Sequence, residues 1–192
     1  MLILGGAAQS IGLYAAGLAV AHGAEVVDYV DHRSERLAIA EKLGARAHSV
    51  KKGKLRRADL PSRRYDIVVE GTSTAAGVDA ALRALQPGGI CTPVGYYLPP
   101  GTKVPLMHMY ANDATLKIGV SQVRPVLPAL LDFVARTDFP AETVTTLLAD
   151  WDDPRRLPSP HHQTRPAPAT PRRRLTAPGY LGSSAGATQV VR

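Results

Sequence analysis

The first 24 residues constrain the fold more than any other stretch of the chain. Met1–Leu4 is a short apolar run that ends at Gly5-Gly6, and this length is typical of a buried strand. Apolar residues then recur at helical spacing as far as Gly23, a predicted helix end, and the stripe predicted to face inward is Ile11, Ala15, Leu18 and Ala19. A strand, a turn of small residues and a helix begin many dinucleotide-binding folds, in which the N–H groups at the helix N-terminus hold a pyrophosphate.

The turn itself departs from the glycine fingerprint of such folds. A G-x-G-x-x-G pattern that ends at Gly12 requires glycines at positions 7 and 9, where the chain has Ala7 and Gln9. Gly12 is the glycine expected to allow close packing of helix on strand, whereas Gln9 places a side chain where backbone normally approaches phosphate. A plain strand–helix turn is therefore the alternative interpretation of this motif taken alone.

An acidic residue at the end of the next strand supports the nucleotide interpretation. Val26–Asp31 is predicted to be that strand, and Asp31 follows Gly12 by 19 residues, the spacing at which dinucleotide folds place the acid that binds the adenosine ribose. A carboxylate there favours NAD over NADP, because it accepts from both ribose hydroxyls and repels a 2′-phosphate. His32 and Arg33 follow directly, and Arg33 softens this preference. The alternative for Asp31 is a surface acid at a helix N-terminus.

Predicted strands and helices alternate along the rest of the chain. The further strands predicted are Ala47–Val50, Tyr65–Glu70, Ile90–Val94 and Leu116–Val120. The further helices are Glu35–Leu43 with Ser34 as N-cap, Ala75–Gln86 capped by Ser73 or Thr74, and one that starts near Pro125 with the inward stripe Val126, Leu130, Leu131 and Val134. This alternation predicts an α/β fold, a doubly wound parallel sheet of the Rossmann-like kind, with ligands at the carboxyl ends of the strands.

The charge of the chain separates two predicted regions. Residues 1–153 hold 16 Lys and Arg and 16 Asp and Glu, so the net charge of +7 lies in residues 154–192, which hold seven Arg, seven Pro and no acid. We expect this tail to be disordered, and its composition fits out-of-frame translation of GC-rich codons; an RNA-binding arm is the alternative. The basic connection at residues 51–64 is predicted to be a solvated loop with a short helix, and nucleic-acid binding there is the minority interpretation.

Cysteine content and hydropathy indicate the compartment. The single cysteine, Cys91, excludes an internal disulfide and is predicted to be a small buried core residue, which fits a reducing cytoplasm. No apolar run reaches about 18 residues, so no membrane span is predicted.

Five segments in order resemble the cofactor domain of medium-chain dehydrogenases/reductases, specifically the branch that is similar to zinc-type alcohol dehydrogenases. The segments are Gly6–Gly12, Tyr29–Asp31, Arg36–Ala45, Tyr65–Gly71 and Ala81–Gly89. The resemblance covers about residues 1–153 and implies an oxidoreductase that uses NAD, or NADP, to move hydride between the nicotinamide and an alcohol or aldehyde.

The resemblance also implies roles for individual residues. It places Gln9, Ser10, Ile11 and Gly12 at the pyrophosphate, Asp31, His32 and Arg36 at the adenosine ribose, Gly71 and Thr72 on the adenine or ribose side, and Val94, Gly95, Tyr96, Ile118, Gly119 and Val120 around the nicotinamide. Members of this family pair through an edge strand, which implies a homodimer through the Leu116–Val120 region.

Two departures from the family limit the expected activity. A catalytic domain that carries the zinc ligands is expected to precede the first strand, and no Cys/His group in this chain has zinc spacing. We therefore expect no zinc site or catalytic residues here, and a chain that is truncated and inactive alone. A non-catalytic dinucleotide sensor and, less favoured, a methyltransferase stay open as alternatives.

Overall fold

A computed structural model describes residues 1–53, 55–98 and 101–146. Its described part contains one six-stranded sheet in which every pairing is parallel. The strands are β1 (Leu2–Leu4), β2 (Asp28–Asp31), β3 (Arg46–Ser49), β4 (Tyr65–Glu70), β5 (Leu85–Pro93) and β6 (Thr115–Leu116). Their order is β3-β2-β1-β4-β5-β6, the doubly wound arrangement that the sequence predicted.

Helices connect the strands and cover both faces of the sheet. They are α1 (Gln9–Ala21), α2 (Ser34–Lys42), α3 (Ala75–Ala84), α4 (Leu106–Ala111) and α5 (Val123–Thr137). Short 3₁₀ turns occur at Arg57–Asp59 and Ala141–Val144. In the part of the chain that the structure describes, no helix is long and apolar enough to cross a membrane.

Side-chain alternation in the central strands explains why both faces are covered. In β1, Leu2 and Leu4 join one buried cluster with residues of α3, while Ile3 joins a second cluster with residues of α1 and α2. Because successive strand residues point to opposite faces, three consecutive apolar residues require a layer of helix on each side. β1 therefore lies at the centre of the sheet, between β2 and β4.

The buried face of α1 differs from the predicted stripe. Ile11 is 50% exposed, and Ala15 and Leu18 are only partly buried. Ala19 is buried as predicted, and the other buried residues are Gly12, Leu13, Ala16 and Gly17. The prediction was wrong for Ile11, Ala15 and Leu18 because four of the five buried residues are glycine or alanine, which add little to the apolar periodicity from which a stripe is inferred.

β5 starts earlier than predicted, because the predicted helix extended to Gln86 and the predicted strand began at Ile90, whereas the observed strand starts at Leu85. Tyr65 pairs with Leu85, and Ile67 pairs with Ile90. Between these two pairs, β4 advances by two residues and β5 by five. The extra residues form a bulge, and Gly88 adopts a φ of +79° within it. The strand therefore includes the Pro-Gly-Gly segment.

The last third of the described chain differs most from the predictions. β6 is two residues long rather than extending to Val120, and the short helix α4 was not predicted. The α5 helix forms, but Val126, Leu130 and Leu131 are exposed, so its predicted inward stripe was wrong for them. Ser34 is the first residue of α2 and not its cap, whereas Thr74 does cap α3 by accepting from Gly77 N at 3.0 Å. The predicted tail at 154–192 lies outside the described residues.

Candidate nucleotide-binding cleft

The two strands at the centre of the sheet end side by side and form the base of a cleft. After β1 and β4 the chain turns in opposite directions, so a crevice opens between the segments that follow them. Gly71 N donates to Leu4 O at 2.8 Å, and Ala8 N donates to Gly71 O at 3.0 Å. A Cβ at Gly6 would lie 2.6 Å from Thr72 Cα, so only glycine fits where these two backbones cross.

The N-terminus of α1 opens toward this crevice. Gly12 N donates to Ala8 O at 3.2 Å, so the amides of Gln9, Ser10 and Ile11 precede the hydrogen-bonded ladder of the helix. The three residues are exposed, and Ala8 supplies no side-chain cap. Uncapped amides at the positive end of a thirteen-residue helix can bind an anion such as a pyrophosphate.

Asp31, at the end of β2, is held by five donors. Its Oδ1 accepts from His32 N at 2.7 Å, Arg33 N at 3.0 Å and Arg36 Nη2 at 2.8 Å. Its Oδ2 accepts from Arg36 Nε at 2.7 Å and from the Tyr29 hydroxyl at 3.2 Å. The carboxylate is fully buried and the Arg36 side chain is only 10% exposed. The two residues therefore form a buried bidentate ion pair rather than an open acceptor.

The protonation states of Asp31 and Tyr29 follow from the same contacts. Burial by itself would raise the pKa of Asp31, but the hydrogen bonds and charge of Arg36 and the two backbone amides hold that pKa below its usual value. Burial beside this carboxylate strongly raises the pKa of the Tyr29 hydroxyl, which stays a donor. The His32 ring also lies beside the pair, with Nδ1 3.4 Å from Asp31 Oδ1.

A second buried acid, Glu70, ends β4 and holds the other wall of the cleft. Glu70 Oε1 accepts from Thr72 N at 2.8 Å and from the Thr72 hydroxyl, which also bonds the Thr74 hydroxyl at 2.8 Å. Among the described residues, Glu70 Oε2 is buried and has no hydrogen-bond partner. Burial raises the pKa of Glu70 above its ordinary value, and the Thr72 donors offset this only in part.

These elements surround a cleft of about 460 Å³. Its lining includes five of the residues that the sequence predicted for the cofactor, namely Gln9, Asp31, His32, Arg36 and Thr72. Gly12 and Gly71 lie behind this lining and are buried, while Ser10 and Ile11 lie on the exposed first turn of α1. The cleft falls within the size range of small-molecule sites.

The residues assigned to the nicotinamide do not line this cleft. Val94 adjoins its base, since a Cβ at Gly71 would lie 3.8 Å from Val94 Cγ2, and Gly95 packs against Ser73. Tyr96 is 89% exposed, and Ile118 and Val120 are 73% and 88% exposed. Gly119 is also exposed, and Ile118, Gly119 and Val120 all follow the end of β6.

Besides Arg33, which the sequence placed next to the predicted ribose-binding acid, several residues that line the cleft were not among the predicted coenzyme residues. Gly5 and Gly6 form its floor, Thr74 lies on the β4 side, and Arg33, Lys51 and Lys52 bring positive charge to the β2 side. The signal for the two lysines was their position: Asp31 pairs with Ser49, and Val50 N donates to Asp31 O at 3.0 Å. Residues that follow adjacent parallel strands meet at one edge of the sheet.

A dinucleotide suits the residues present. The crossing of glycine backbones leaves room for a ligand backbone, the α1 amides supply anion donors, and an acid and several cations stand where a ribose and phosphate would lie. No cluster of three or more His, Cys, Asp or Glu residues in the described ranges could hold a metal ion. Sheet order and cleft together define a nucleotide-binding domain of the doubly wound class.

Comparison with known proteins assigns the family. The sequence profile of zinc-binding dehydrogenases matches residues 10–136, more than half of the chain. The chain belongs to this family, the alcohol dehydrogenase-like branch of the medium-chain dehydrogenases/reductases that the ordered segments predicted.

Individual relatives agree with this assignment. The chain is 31% identical over 153 residues to a probable zinc-binding alcohol dehydrogenase of Mycobacterium tuberculosis, covering 76% of this chain and 40% of that protein. Among solved structures, an alcohol dehydrogenase from Thermus sp. ATN1 matches with a TM-score of 0.64 and 28% identity, over 73% of this chain and 41% of the other. An alcohol dehydrogenase from E. coli CFT073, solved with NADH, shares the fold at a TM-score of 0.63 and 14% identity, over 74% and 42% of the two chains. The chain thus spans less than half the length of these relatives.

Proposed function

We propose that this chain is the coenzyme-binding part of an alcohol dehydrogenase-like oxidoreductase. Such an enzyme transfers hydride between a nicotinamide dinucleotide and an alcohol or aldehyde, and the bound nicotinamide supplies the hydride chemistry. The observation that carries the proposal is the cleft at the switch point between β1 and β4, in a chain of the zinc-binding dehydrogenase family.

The residues around the cleft divide into two proposed subsites. The amides of Gln9, Ser10 and Ile11 bind the pyrophosphate, and Gly12 supports that turn of helix from below. Asp31, His32 and Arg36 lie against the adenosine ribose, opposite Thr72, and Gly71 supports Thr72 from behind the lining of the cleft.

The nicotinamide end is proposed to follow the ends of β5 and β6. Val94, Gly95 and Tyr96 and the exposed run Ile118, Gly119 and Val120 are the residues that would frame it. Because most of these side chains are exposed in the described chain, the ring needs a second surface for enclosure. We therefore propose that the chain binds coenzyme but turns over little substrate unless a catalytic part is supplied, and that a homodimer forms through the Leu116–Val120 edge.

The proposed limits and location follow the sequence. The coenzyme domain is taken as residues 1–153, with 154–192 as a separate tail, and a single buried cysteine fits a cytoplasmic protein.

Thermal unfolding and calorimetry with the full chain test the proposal. Millimolar NADH or NADPH should raise the melting temperature, because a ligand that binds only the folded state stabilises it, whereas S-adenosylmethionine should not. Introducing a negative charge by Ile11→Glu, next to the proposed pyrophosphate, should weaken dinucleotide binding about tenfold or more. Leu131→Glu on exposed α5 is the matched control and should leave binding unchanged.

Two outcomes would overturn the proposal. One is a folded protein whose melting temperature responds to neither coenzyme, and the other is an equal loss of affinity in both glutamate variants. Alcohol-dependent reduction of coenzyme by the isolated chain would instead contradict the proposed need for a separate catalytic part.

A further inference from the structure

The acid expected to select NAD has no free acceptor position in this structure. In doubly wound folds a carboxylate at this place selects NAD by accepting from the ribose hydroxyls, whereas a nearby arginine accommodates the 2′-phosphate of NADP. Here both oxygens of Asp31 already accept from internal donors, and the side chain is fully buried. Its charge is matched at close range by the guanidinium of Arg36. Asp31 therefore offers neither acceptors nor net negative charge to a ribose.

Uncompensated positive charge surrounds this neutral pair. Among the described residues, the cleft is lined by four Lys and Arg side chains, those of Arg33, Arg36, Lys51 and Lys52, and by one acid, Asp31. Arg36 is engaged with Asp31, but the other three side chains are exposed and have no ion-pair or hydrogen-bond partner among the described residues. The ribose end of the cleft therefore carries an excess of three positive charges.

Chain geometry keeps these cations at the end of β2. Arg33 lies two residues beyond Asp31, and its backbone amide is fixed to the Asp31 carboxylate. Lys51 and Lys52 follow β3, whose last residue pairs with Asp31, and the Val50 amide donates to the Asp31 carbonyl. Two adjacent parallel strands thus bring the three cations to the same side of the cleft, although Arg33 is 18 residues from Lys51 along the chain.

We propose that this cleft prefers the 2′-phosphorylated dinucleotide, NADP(H), and that Arg33, Lys51 and Lys52 are the residues that bind its 2′-phosphate. The inference rests on the proposed coenzyme function and concerns the same site. A phosphate monoester carries a charge of about −1.5 to −2 at neutral pH, and pairs with Arg and Lys form strong charge-assisted hydrogen bonds. The Asp31–Arg36 pair acts as a neutral buried support for this subsite.

Calorimetric titration of the full chain with NADPH and NADH tests the preference directly. NADPH should bind about tenfold or more tightly than NADH, since each charge-assisted contact adds to affinity. Adenosine 2′,5′-bisphosphate should bind more tightly than 5′-AMP by a similar factor. These two ligands differ by the same 2′-phosphate, and neither carries the nicotinamide. Raising salt should narrow both differences.

Three substitutions assign the difference to the proposed residues. The variant Arg33→Ala/Lys51→Ala/Lys52→Ala should lose most of the NADPH preference while its affinity for NADH changes little. The control Arg56→Ala/Arg83→Ala/Arg136→Ala removes the same charge from exposed positions outside the cleft and should keep the preference. NADH binding as tight as NADPH, or a preference that survives in the triple variant, would overturn this inference. Binding of neither coenzyme by the folded chain would instead overturn the proposed function.

Discussion

β2 and β4 flank β1, and each ends in a buried acid, but the two acids differ in their hydrogen-bond and charge partners. Asp31 accepts from five donors and pairs with Arg36. Glu70 accepts from Thr72 through one oxygen, and its other oxygen has no hydrogen-bond partner in the described part of the chain. The pKa of Asp31 is accordingly lowered and that of Glu70 raised.

This difference shows that burial alone does not decide the charge of a carboxyl group. Both acids are the last residues of strands that flank the same central strand, and both are buried, so their desolvation is similar in kind. The α2 helix brings a guanidinium to Asp31, while the segment after β4 brings only a hydroxyl and amides to Glu70. An acid with a cationic partner stays ionised and organises the corner, whereas one without such a partner favours its neutral form.

Removing Asp31 should cause the largest loss of stability. Asp31→Ala leaves the buried Arg36 guanidinium without its partner and is expected to cost about 3–5 kcal/mol in the free energy of unfolding. Asp132→Ala, which breaks an exposed pair with Arg136 one helical turn away, should cost no more than about 0.5 kcal/mol. Urea unfolding measures both values. Asp31→Asn, which keeps an acceptor, should fall between them. Equal losses in the two alanine variants would refute the buried ion pair.

Alanine substitution of the glycines that contact the two acids should also cost more stability at Asp31 than at Glu70. A Cβ at Gly5 would lie 2.5 Å from the Tyr29 hydroxyl and overlap Asp31 Oδ2, which Arg36 holds in place. A Cβ at Gly77 would lie 2.5 Å from Glu70 Oε1 and overlap the Thr72 hydroxyl. Gly5→Ala should therefore cost about 1–3 kcal/mol. Gly77→Ala should cost less, because alanine in a helix recovers up to about 1 kcal/mol. The reverse ranking in urea unfolding would show that the Asp31 corner is the more adaptable one.

The pH dependence of stability should separate the two acids by sign. The pKa of Glu70 is raised on folding, so its contribution is fully present below its unfolded pKa and is lost as pH rises through the folded pKa. Glu70→Gln, a mimic of the neutral acid, should gain stability relative to the parent chain as the pH rises above about 4, the ordinary pKa of an unfolded glutamate. The pKa of Asp31 is lowered, so its contribution exists above its unfolded pKa and disappears in acid. Asp31→Asn should accordingly lose stability relative to the parent as pH rises. Parallel urea titrations that gave the same sign for both variants would contradict the assignment.

The sequence predicted what depends on short-range pattern. The strand Tyr65–Glu70 has the predicted bounds, because the run of apolar and β-branched residues that specifies a strand is visible within a few residues. The parallel sheet followed from the alternation of these elements. Asp31 lies at a strand end as predicted, since a spacing along the chain specified its position.

What the sequence could not show depends on partners distant along the chain. The stripe of α5 was visible, but a pattern does not say whether another surface covers it, and its leucines are exposed. The engagement of Asp31 by Arg36 depends on side-chain direction, which spacing leaves open. Lys51 and Lys52 read as part of a solvated loop, because only the pairing of β3 with β2 carries them to the cleft.

Substitution of Gly12 by alanine should cause the smallest change in stability, and it tests the glycine fingerprint in α1, near Asp31. The fingerprint predicts glycine there for close packing, but a Cβ would lie 3.5 Å from Ile3 Cγ2, 3.6 Å from Tyr29 Cε2 and 3.9 Å from Gly5 Cα, which are ordinary contacts. Gly12→Ala should therefore raise stability by about 0.5–1 kcal/mol, because glycine is a poor helix residue.

The same helix supplies the control for this prediction. At Gly17 a Cβ would lie 3.1 Å from the Phe139 ring and 3.2 Å from Leu43 Cδ2, so those side chains must move to admit a methyl group. The gain in helix propensity should be offset there, and Gly17→Ala should be neutral or destabilising in urea unfolding. A Gly12→Ala variant that lost as much stability as Gly17→Ala would mean that α1 approaches the sheet more closely at Gly12 than these distances allow. Glycine would then be required at that position by packing, because even a methyl group would displace Tyr29 and with it the donor to Asp31.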